Sequence, residues 1–311
     1  MASLPKGRYG LTSAAVVSTQ TQASFPSIKQ FLLVGIGGGV PRSKNDIRLE
    51  DVVVSSVEGR YPGVIQYDFG KIHPYGNERI GYLKPPSDIL LSAVAKVEAA
   101  HKAGYKLYAF WRERAGAKVN GFGDIIYEED VLYTAEYIHV QKNVPCKGFC
   151  DKSNTLPRQP RTSGDEPVVH HGIIASGNQV VRNDKERDRI SKGLKGVICF
   201  EMEAAGVMAS IECLVIRAIC DYADSHKNKG WQAYAARTAA AYAKEILSVL
   251  TPPATVGQPV NNSLPTHNRK GVGWTAIKRN TLAILVARMK LMKVVLIVTV
   301  NMNYNFKLVQ A

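Results

Sequence analysis

The 311-residue chain has only five cysteines, scattered along its length, which excludes a small secreted scaffold stapled by disulfides. It opens without the charged, apolar and small-residue blocks of an export signal, so a reducing, cytoplasmic setting is expected. Glycine (26) and proline (15) sit near average usage, excluding collagen-like and low-complexity chains. No repeat of about 20 to 50 residues is present, which removes solenoids and propellers. Long hydrophobic runs are also lacking. The most apolar stretch, residues 281 to 300, is broken by Arg288, Lys290 and Lys293, whereas a spanning helix needs about 20 mainly apolar residues. A transmembrane segment is therefore not expected. A basic membrane-surface helix and an ill-defined extension are the two readings left for this region.

Acidic residues are absent from residues 251 to 311, which carry eight Lys or Arg. The formal net charge of +14 is thus largely a property of the tail, and residues 1 to 250 carry a modest +6. That distribution argues against a nucleic-acid-binding body. Pro252, Pro253, Pro259 and Pro265 among Thr, Gly, Asn and Ser read as a linker, so the division expected is a domain over 1–250 and a basic, Pro-containing extension over 251–311.

With 45% hydrophobic residues the chain can bury one or two cores. Apolar, β-rich runs alternate with helical stretches over residues 1 to 250, the pattern of one α/β domain. Strands are expected at 31–36, 52–55, 64–69, 172–175, 197–200 and 214–220, and their near-continuous hydrophobicity implies a sheet covered on both faces. Helices are expected at 12–23, 88–102 (with Ser87 as N-cap), 184–191, 203–211 and 232–250. Residues 141 to 167, punctuated by Pro145, Pro157, Pro160 and Pro167, read as a long surface loop of the kind that borders functional sites.

Gly35-Ile36-Gly37-Gly38-Gly39 follows the first of those strands, but Val40 stands where a dinucleotide fingerprint needs its third glycine, and Pro41 blocks the helix that should open there. Either close backbone approach to a nucleoside or anion, or a tight loop with no ligand, explains the cluster. Glu203 and Asp221 form the more informative pair. Each closes an expected strand, and if those strands are parallel neighbours, about 4.8 Å apart, both carboxylates stand at the carboxyl edge of the sheet, where one small molecule could touch both. One carboxylate can grip sugar hydroxyls and stabilise growing positive charge; the other can protonate a heterocyclic leaving group if burial or Asp224 raises its pKa. Capping of helices, or pairing with Arg217 and Arg182, is the alternative explanation. His170-His171 and Cys146-x3-Cys150 lack a second pair of ligands at usable spacing, so no metal and no cofactor are expected. Cys199, Cys213 and Cys220 read as buried thiols.

Five strings, Gly7-Arg8-Tyr9-Gly10-Leu11-Thr12-Ser13-Ala14-Ala15, Val34-Gly35-Ile36-Gly37-Gly38-Gly39-Val40-Pro41, Gly172-Ile173-Ile174-Ala175-Ser176-Gly177-Asn178, Glu201-Met202-Glu203-Ala204-Ala205 and Arg217-Ala218-Ile219-Cys220-Asp221-Tyr222-Ala223-Asp224, together resemble the nucleoside phosphorylase and nucleosidase superfamily. Within it the chain is most similar to the methylthioadenosine/adenosylhomocysteine nucleosidase branch and to the related domain of fungal NLR-type multidomain proteins. The resemblance implies an α/β fold with a mixed, partly barrel-like central sheet flanked by helices, cleavage of the N-glycosidic bond of a purine nucleoside or nucleotide, and a homo-oligomer. It makes Asp221 the acid that protonates the purine at N7 and Glu203 the carboxylate on the ribose hydroxyls. Met202 would line the ribose face and Phe200 the ligand, Val181 would contact the base through its backbone, and Gly10, Gly37 and Gly38 would line the water, phosphate or 5′-group end.

Two departures shape the expectation. Leu33 and Ile36 stand where phosphorylases of this superfamily carry a phosphate-binding Arg and Ser, so water is favoured over phosphate as nucleophile. The strand that precedes Gly7 in the family, with its water-activating carboxylate, has no counterpart, so the sheet is expected to lose a strand and expose an edge. A catalytically impaired nucleoside-binding or interaction module is the alternative.

Overall fold

The computed structural model describes residues 1–42, 45–109, 129–141, 144–161, 164, 166–194, 196–227, 229–250 and 294–299. The strands are β1 (Ala2–Ser3), β2 (Gln30–Gly39), β3 (Val52–Ser55), β4 (Val64–Gln66), β5 (Gly70–His73), β6 (Gly76–Arg79), β7 (Val169–Gly172), β8 (Ile174–Ser176), β9 (Cys199–Glu201), β10 (Cys213–Asp221) and β11 (Val294–Thr299). The helices are α1 (Leu11–Ser24), α2 (Asp88–Lys102), α3 (Asp184–Gly193), α4 (Ala204–Met208) and α5 (Gln232–Val249). Seven strands run in the order β4-β8-β9-β2-β10-β3-β7, with β11 against β2 and β1 against β11. The sheet is mixed: β9 is antiparallel to β2 and β3 to β10, and the other pairings are parallel. The α/β class and mixed, helix-flanked sheet expected from the sequence are therefore present.

Period-two alternation explains the apolar runs. In β2, Leu32 and Val34 face one core with α2 and α5, while Phe31 and Leu33 face the other with α1 and α4. The same split places Leu214 and Ile216 of β10 in the first core and Val215 and Ile219 in the second. Alanine-rich α5 packs Ala235, Ala239 and Ala243 onto this sheet with Tyr242 and Ile246. In α3, Asn183 caps by accepting from the Glu186 amide at 3.1 Å, and Asp184 and Glu186 in the first turn complement the helix dipole. Ser87 stands at the N-cap of α2 but donates its hydroxyl to Gln30 instead of capping with its side chain.

The sheet was expected to lose a strand and expose an edge, and along β2 a strand from the tail covers residues 30 to 35. Val294–Thr299 lies parallel to β2 with Val294 opposite Gln30 and Thr299 opposite Gly35, and the Ile297 side chain is fully buried in the second core. The tail's basic residues lie outside the described residues, as does residue 300. No helix among the described residues is long and apolar enough to cross a membrane.

Within the stretch expected as a long surface loop, Arg158 and Arg161 are pinned to the body of the domain. Arg158 donates to Asp46, to the Ile47 carbonyl at 2.6 Å and to the Tyr222 hydroxyl at 2.6 Å, and Arg161 pairs with buried Asp51 at 2.5 Å. The proline-rich composition reads as loop, but these guanidinium contacts fix its path.

Candidate active site

Gly38, near the end of β2, pairs with Asp221 of β10 on one edge and with Phe200 of β9 on the other. The two carboxylate-bearing strand ends thus flank a single residue. A Cβ on Gly38 would stand 2.9 Å from Asp221 Oδ1 and from Ala223 Cβ, and one on Gly37 would stand 2.5 Å from Cys199 Sγ. These glycines are required by crowding against the site walls. The parallel, adjacent β9–β10 pair read from the sequence is corrected here: β2 lies between them and β9 runs antiparallel to it. Two strand spacings, about 9.6 Å, replace one. The cause is topological, since β2 is more than 150 residues away in sequence and no local pattern reports its insertion.

Glu203 sits at the N-cap of α4. Its Oε1 accepts from the Gly10 amide at 3.3 Å and its Oε2 lies 3.3 Å from Arg217 Nη2. Gly10 has φ 92°, a left-handed conformation that glycine adopts without steric cost and that heads α1 while turning its amide to the carboxylate. Arg217 is wholly buried in β10 and also pairs with Glu201. Glu201 in turn accepts from the Glu203 amide at 3.1 Å and the Ala204 amide at 2.9 Å. Burial pushes the Glu203 carboxyl above its ordinary value, the guanidinium of Arg217 pulls it back, and the charge of Glu201 adds to the rise. Glu203 keeps 10% of its side chain exposed against 1% for Glu201. Glu203 is thus the more accessible of the two carboxylates. The pairing with Arg217 considered from the sequence is present, and it orients Glu203.

Asp221 ends β10 and is buried. Its Oδ1 accepts from the Ala223 amide at 2.9 Å and its Oδ2 pairs with Lys227 at 2.7 Å, with Arg182 donating to the Lys227 carbonyl and not to Asp221. Ala223 has φ 52°, a left-handed conformation costing a residue with a Cβ about 1–2 kcal/mol. The bond to Asp221 helps hold it there. Asp224, also buried, is pushed up to about 6 by burial and by the charge of Asp221. Lys227 loses stability as a cation through burial, but Asp221 outweighs this and holds it at about 12.

Val181 packs into an apolar cluster with Phe200 and Ala223, to which Tyr67 adds an edge-on contact with the Phe200 ring at 5.7 Å. Met202 is half-buried between Glu201 and Glu203. Gly10 and Glu203 are in direct contact, and Gly38 joins Asp221 to Phe200. The sequence reading assigned no role to Glu201 or Lys227. Glu201 stood inside a quoted string, and an acidic residue two before Glu203 was the available signal; nothing in the sequence marked Lys227.

Away from these carboxylates, His139, Cys146, Cys150 and His226 each bring one donor atom within 4.8 Å of the others. No second ligand pair stands at short spacing in the sequence, because His226 comes from the loop after β10. Cys199, Cys213 and Cys220 are buried free thiols.

The family model of the Phosphorylase superfamily matches residues 2–251. A nucleotide-binding leucine-rich repeat (NLR)-like protein of Hyaloscypha variabilis is 40% identical over 247 residues, which are 79% of this chain and 24% of that protein. The chain therefore spans about a quarter of that relative's length. Among solved structures, futalosine hydrolase of Helicobacter pylori is 18% identical with a TM-score of 0.47, covering 78% of this chain and 76% of its own. The 5'-methylthioadenosine/S-adenosylhomocysteine nucleosidase of Neisseria meningitidis, solved with methylthio-immucillin-A, is 18% identical with a TM-score of 0.45, covering 77% of each chain. On the match of residues 2–251 and the 40%-identical relative, the chain belongs to the phosphorylase superfamily.

Proposed function

We propose that the chain binds a purine nucleoside or nucleotide across the end of β2 and hydrolyses its N-glycosidic bond. The observation that carries this reading is the double pairing of Gly38, which sets Asp221 and the Phe200-Glu201-Met202-Glu203 segment on opposite sides of one strand end. A gap of about two strand spacings is one that a sugar joined to a heterocycle can bridge. Glu203, oriented by Gly10 and Arg217, accepts the ribose hydroxyls and stabilises the positive charge that grows on the sugar. Asp221 delivers a proton to the purine N7 as the C1′–N bond breaks and its electron pair passes to the base. Water then adds to C1′ and releases its proton to solvent. Val181, Phe200 and Met202 provide the apolar lining.

Water is favoured because Leu33 is fully buried in the core and Ile36 is apolar and half-buried, so neither supplies a phosphate contact. Each missing charge-assisted hydrogen bond weakens phosphate binding by about 1.5–3 kcal/mol.

The ion pair between Lys227 and Asp221 supports a second reading, binding without turnover. Oδ2 is held by an ammonium group, and proton donation to a base requires that contact to open. Incubating the purified chain with adenosine and its 5′-thio and 5′-phosphorylated analogues, with and without phosphate, separates the readings. Free base released without phosphate, and lost in Asp221→Asn, supports hydrolysis; saturable binding with no free base supports the second reading; release that depends on phosphate excludes hydrolysis.

A further inference from the structure

Four side chains unused by the glycosidic chemistry meet on the flank of the loop that follows Asp221. His139, Cys146 and Cys150 come from the segment after residue 128, and His226 follows Asp221 by five positions. Cys146 Sγ lies 3.6 Å and Cys150 Sγ 3.7 Å from His226 Nδ1. Two ligands on one tetrahedral zinc, at about 2.3 Å for sulfur and about 2.05 Å for nitrogen, stand about 3.6 Å apart. The spacing between these atoms is therefore that of neighbouring corners of a zinc tetrahedron.

The backbone builds this arrangement. The Cys146 carbonyl accepts from the Phe149 amide at 3.1 Å and from the Cys150 amide at 2.9 Å, a single turn that brings the two thiols to one side. His226 Nε2 lies 2.9 Å from the Tyr137 carbonyl, which can only accept, so Nε2 carries the proton and the Nδ1 lone pair faces both sulfurs. The Tyr133 ring stacks on His226 with centroids 4.0 Å apart. The His139 amide donates to Ser225 Oγ at 3.0 Å, tying the two histidine-bearing segments together beside the donor atoms. Cys146 and Cys150 are not joined in a disulfide.

We propose that His139, Cys146, Cys150 and His226 form a closed structural zinc site that clasps residues 129–161 to the loop after β10. Two sulfurs and two imidazoles favour zinc over magnesium or calcium, which take oxygen ligands. Four protein ligands leave no open position, which fits a structural and not a catalytic ion. Binding displaces the thiol protons and ties metal affinity to folding. The clasp acts on the Asp221 side of the site alone, since His226 adjoins Lys227 and Asp224 lies two residues before it.

The test is metal content of the full chain, purified without a metal-affinity tag or chelator and with reducing agent present. The expected result is about one zinc per chain, and about one Co(II) after exchange, with the thiolate charge-transfer and intense visible bands of a tetrahedral site. Cys146→Ser with Cys150→Ser should abolish both, while His73→Gln, on the exposed β5–β6 hairpin, should keep them. The unsubstituted chain decides the matter even if the serine variant does not fold. A chain that takes up no stoichiometric zinc or cobalt, cobalt bands that lack thiolate character or survive the double substitution, or an intact mass showing Cys146 and Cys150 oxidised to a disulfide would each overturn the proposal.

Discussion

Asp221 pairs with Gly38 and Glu203 follows the strand that pairs with it on the other side, yet the two carboxylates are held in opposite ways. Glu203 is fixed from inside, by the fully buried Arg217, by Glu201 and by the amide heading α1, all contributed by the sheet and the helices packed on it. Asp221 is fixed from outside. The loop that follows it is braced by the Lys227 ion pair, by the His226 amide donating to Asp224, and by contacts of Arg158 with Tyr222 and of Cys146 with His226. A preformed charge network holds one carboxylate, and a pinned excursion holds the other. The two ends should therefore answer differently to mutation, to pH and to loss of the excursion's anchor.

The largest effect is expected inside. Arg217→Met leaves Glu201 and Glu203 buried without a counter-charge and should cost about 3–5 kcal/mol of stability, read by urea denaturation. A loss under about 1 kcal/mol would mean the network is not what holds Glu203.

Next comes Asp224→Asn, whose effect depends on pH. The folded chain raises this carboxyl to about 6, so the folded state binds its proton more tightly than the unfolded state does. That stabilisation is present in acid and is lost as pH rises through about 6, above which the folded chain must ionise Asp224 against burial and Asp221. The asparagine variant should therefore exceed the parent by about 2 kcal/mol at pH 8, with the gain vanishing near pH 4. Thermal melts across that range check the sign, and a gain that grows towards acid would contradict it.

Gly38→Ala strikes the one residue shared by both ends. Its Cβ would meet Asp221 Oδ1 and Ala223 Cβ at 2.9 Å, so about 1–3 kcal/mol of destabilisation is expected, with ligand affinity reduced as well. The smallest effect belongs to the exposed Arg189–Glu186 pair, remote from this comparison. Arg189→Ala should change stability by less than about 0.5 kcal/mol in the same denaturation assay.

The inner half of the molecule was far more legible in the sequence than the outer half. Strands β2, β3 and β10 and helices α1, α2 and α5 follow from local hydrophobic period and helix-forming composition, and their boundaries agree with the sequence reading to within a few residues. The apolar run Val64 to Phe69 reads as one strand, whereas β4 ends at Gln66 and the next residues lead into the exposed β5–β6 hairpin. Val169–Gly172 forms β7 although two histidines interrupt its hydrophobicity, because His170 is half-buried and bonded to Asp51 at 2.9 Å. Long-range pairings were invisible. No local signal says that β2 separates β9 from β10, or that Val294–Thr299 adds to the sheet beside residues 30 to 35. The histidine–cysteine cluster escaped for the same reason, with Cys146 and His226 eighty positions apart. At the candidate site, Glu203, Asp221 and the glycines stood out by type and spacing, while Lys227 became visible only once the loop after β10 was folded.

Release of free purine base is the most direct measurement of the central claim, that Glu203 and Asp221 act together on one glycosidic bond. Single-turnover base release from the nucleoside that binds best should proceed without phosphate and fall by about 10²–10⁴-fold in both Asp221→Asn and Glu203→Gln. Unchanged release in either variant, with folding intact, would contradict the account.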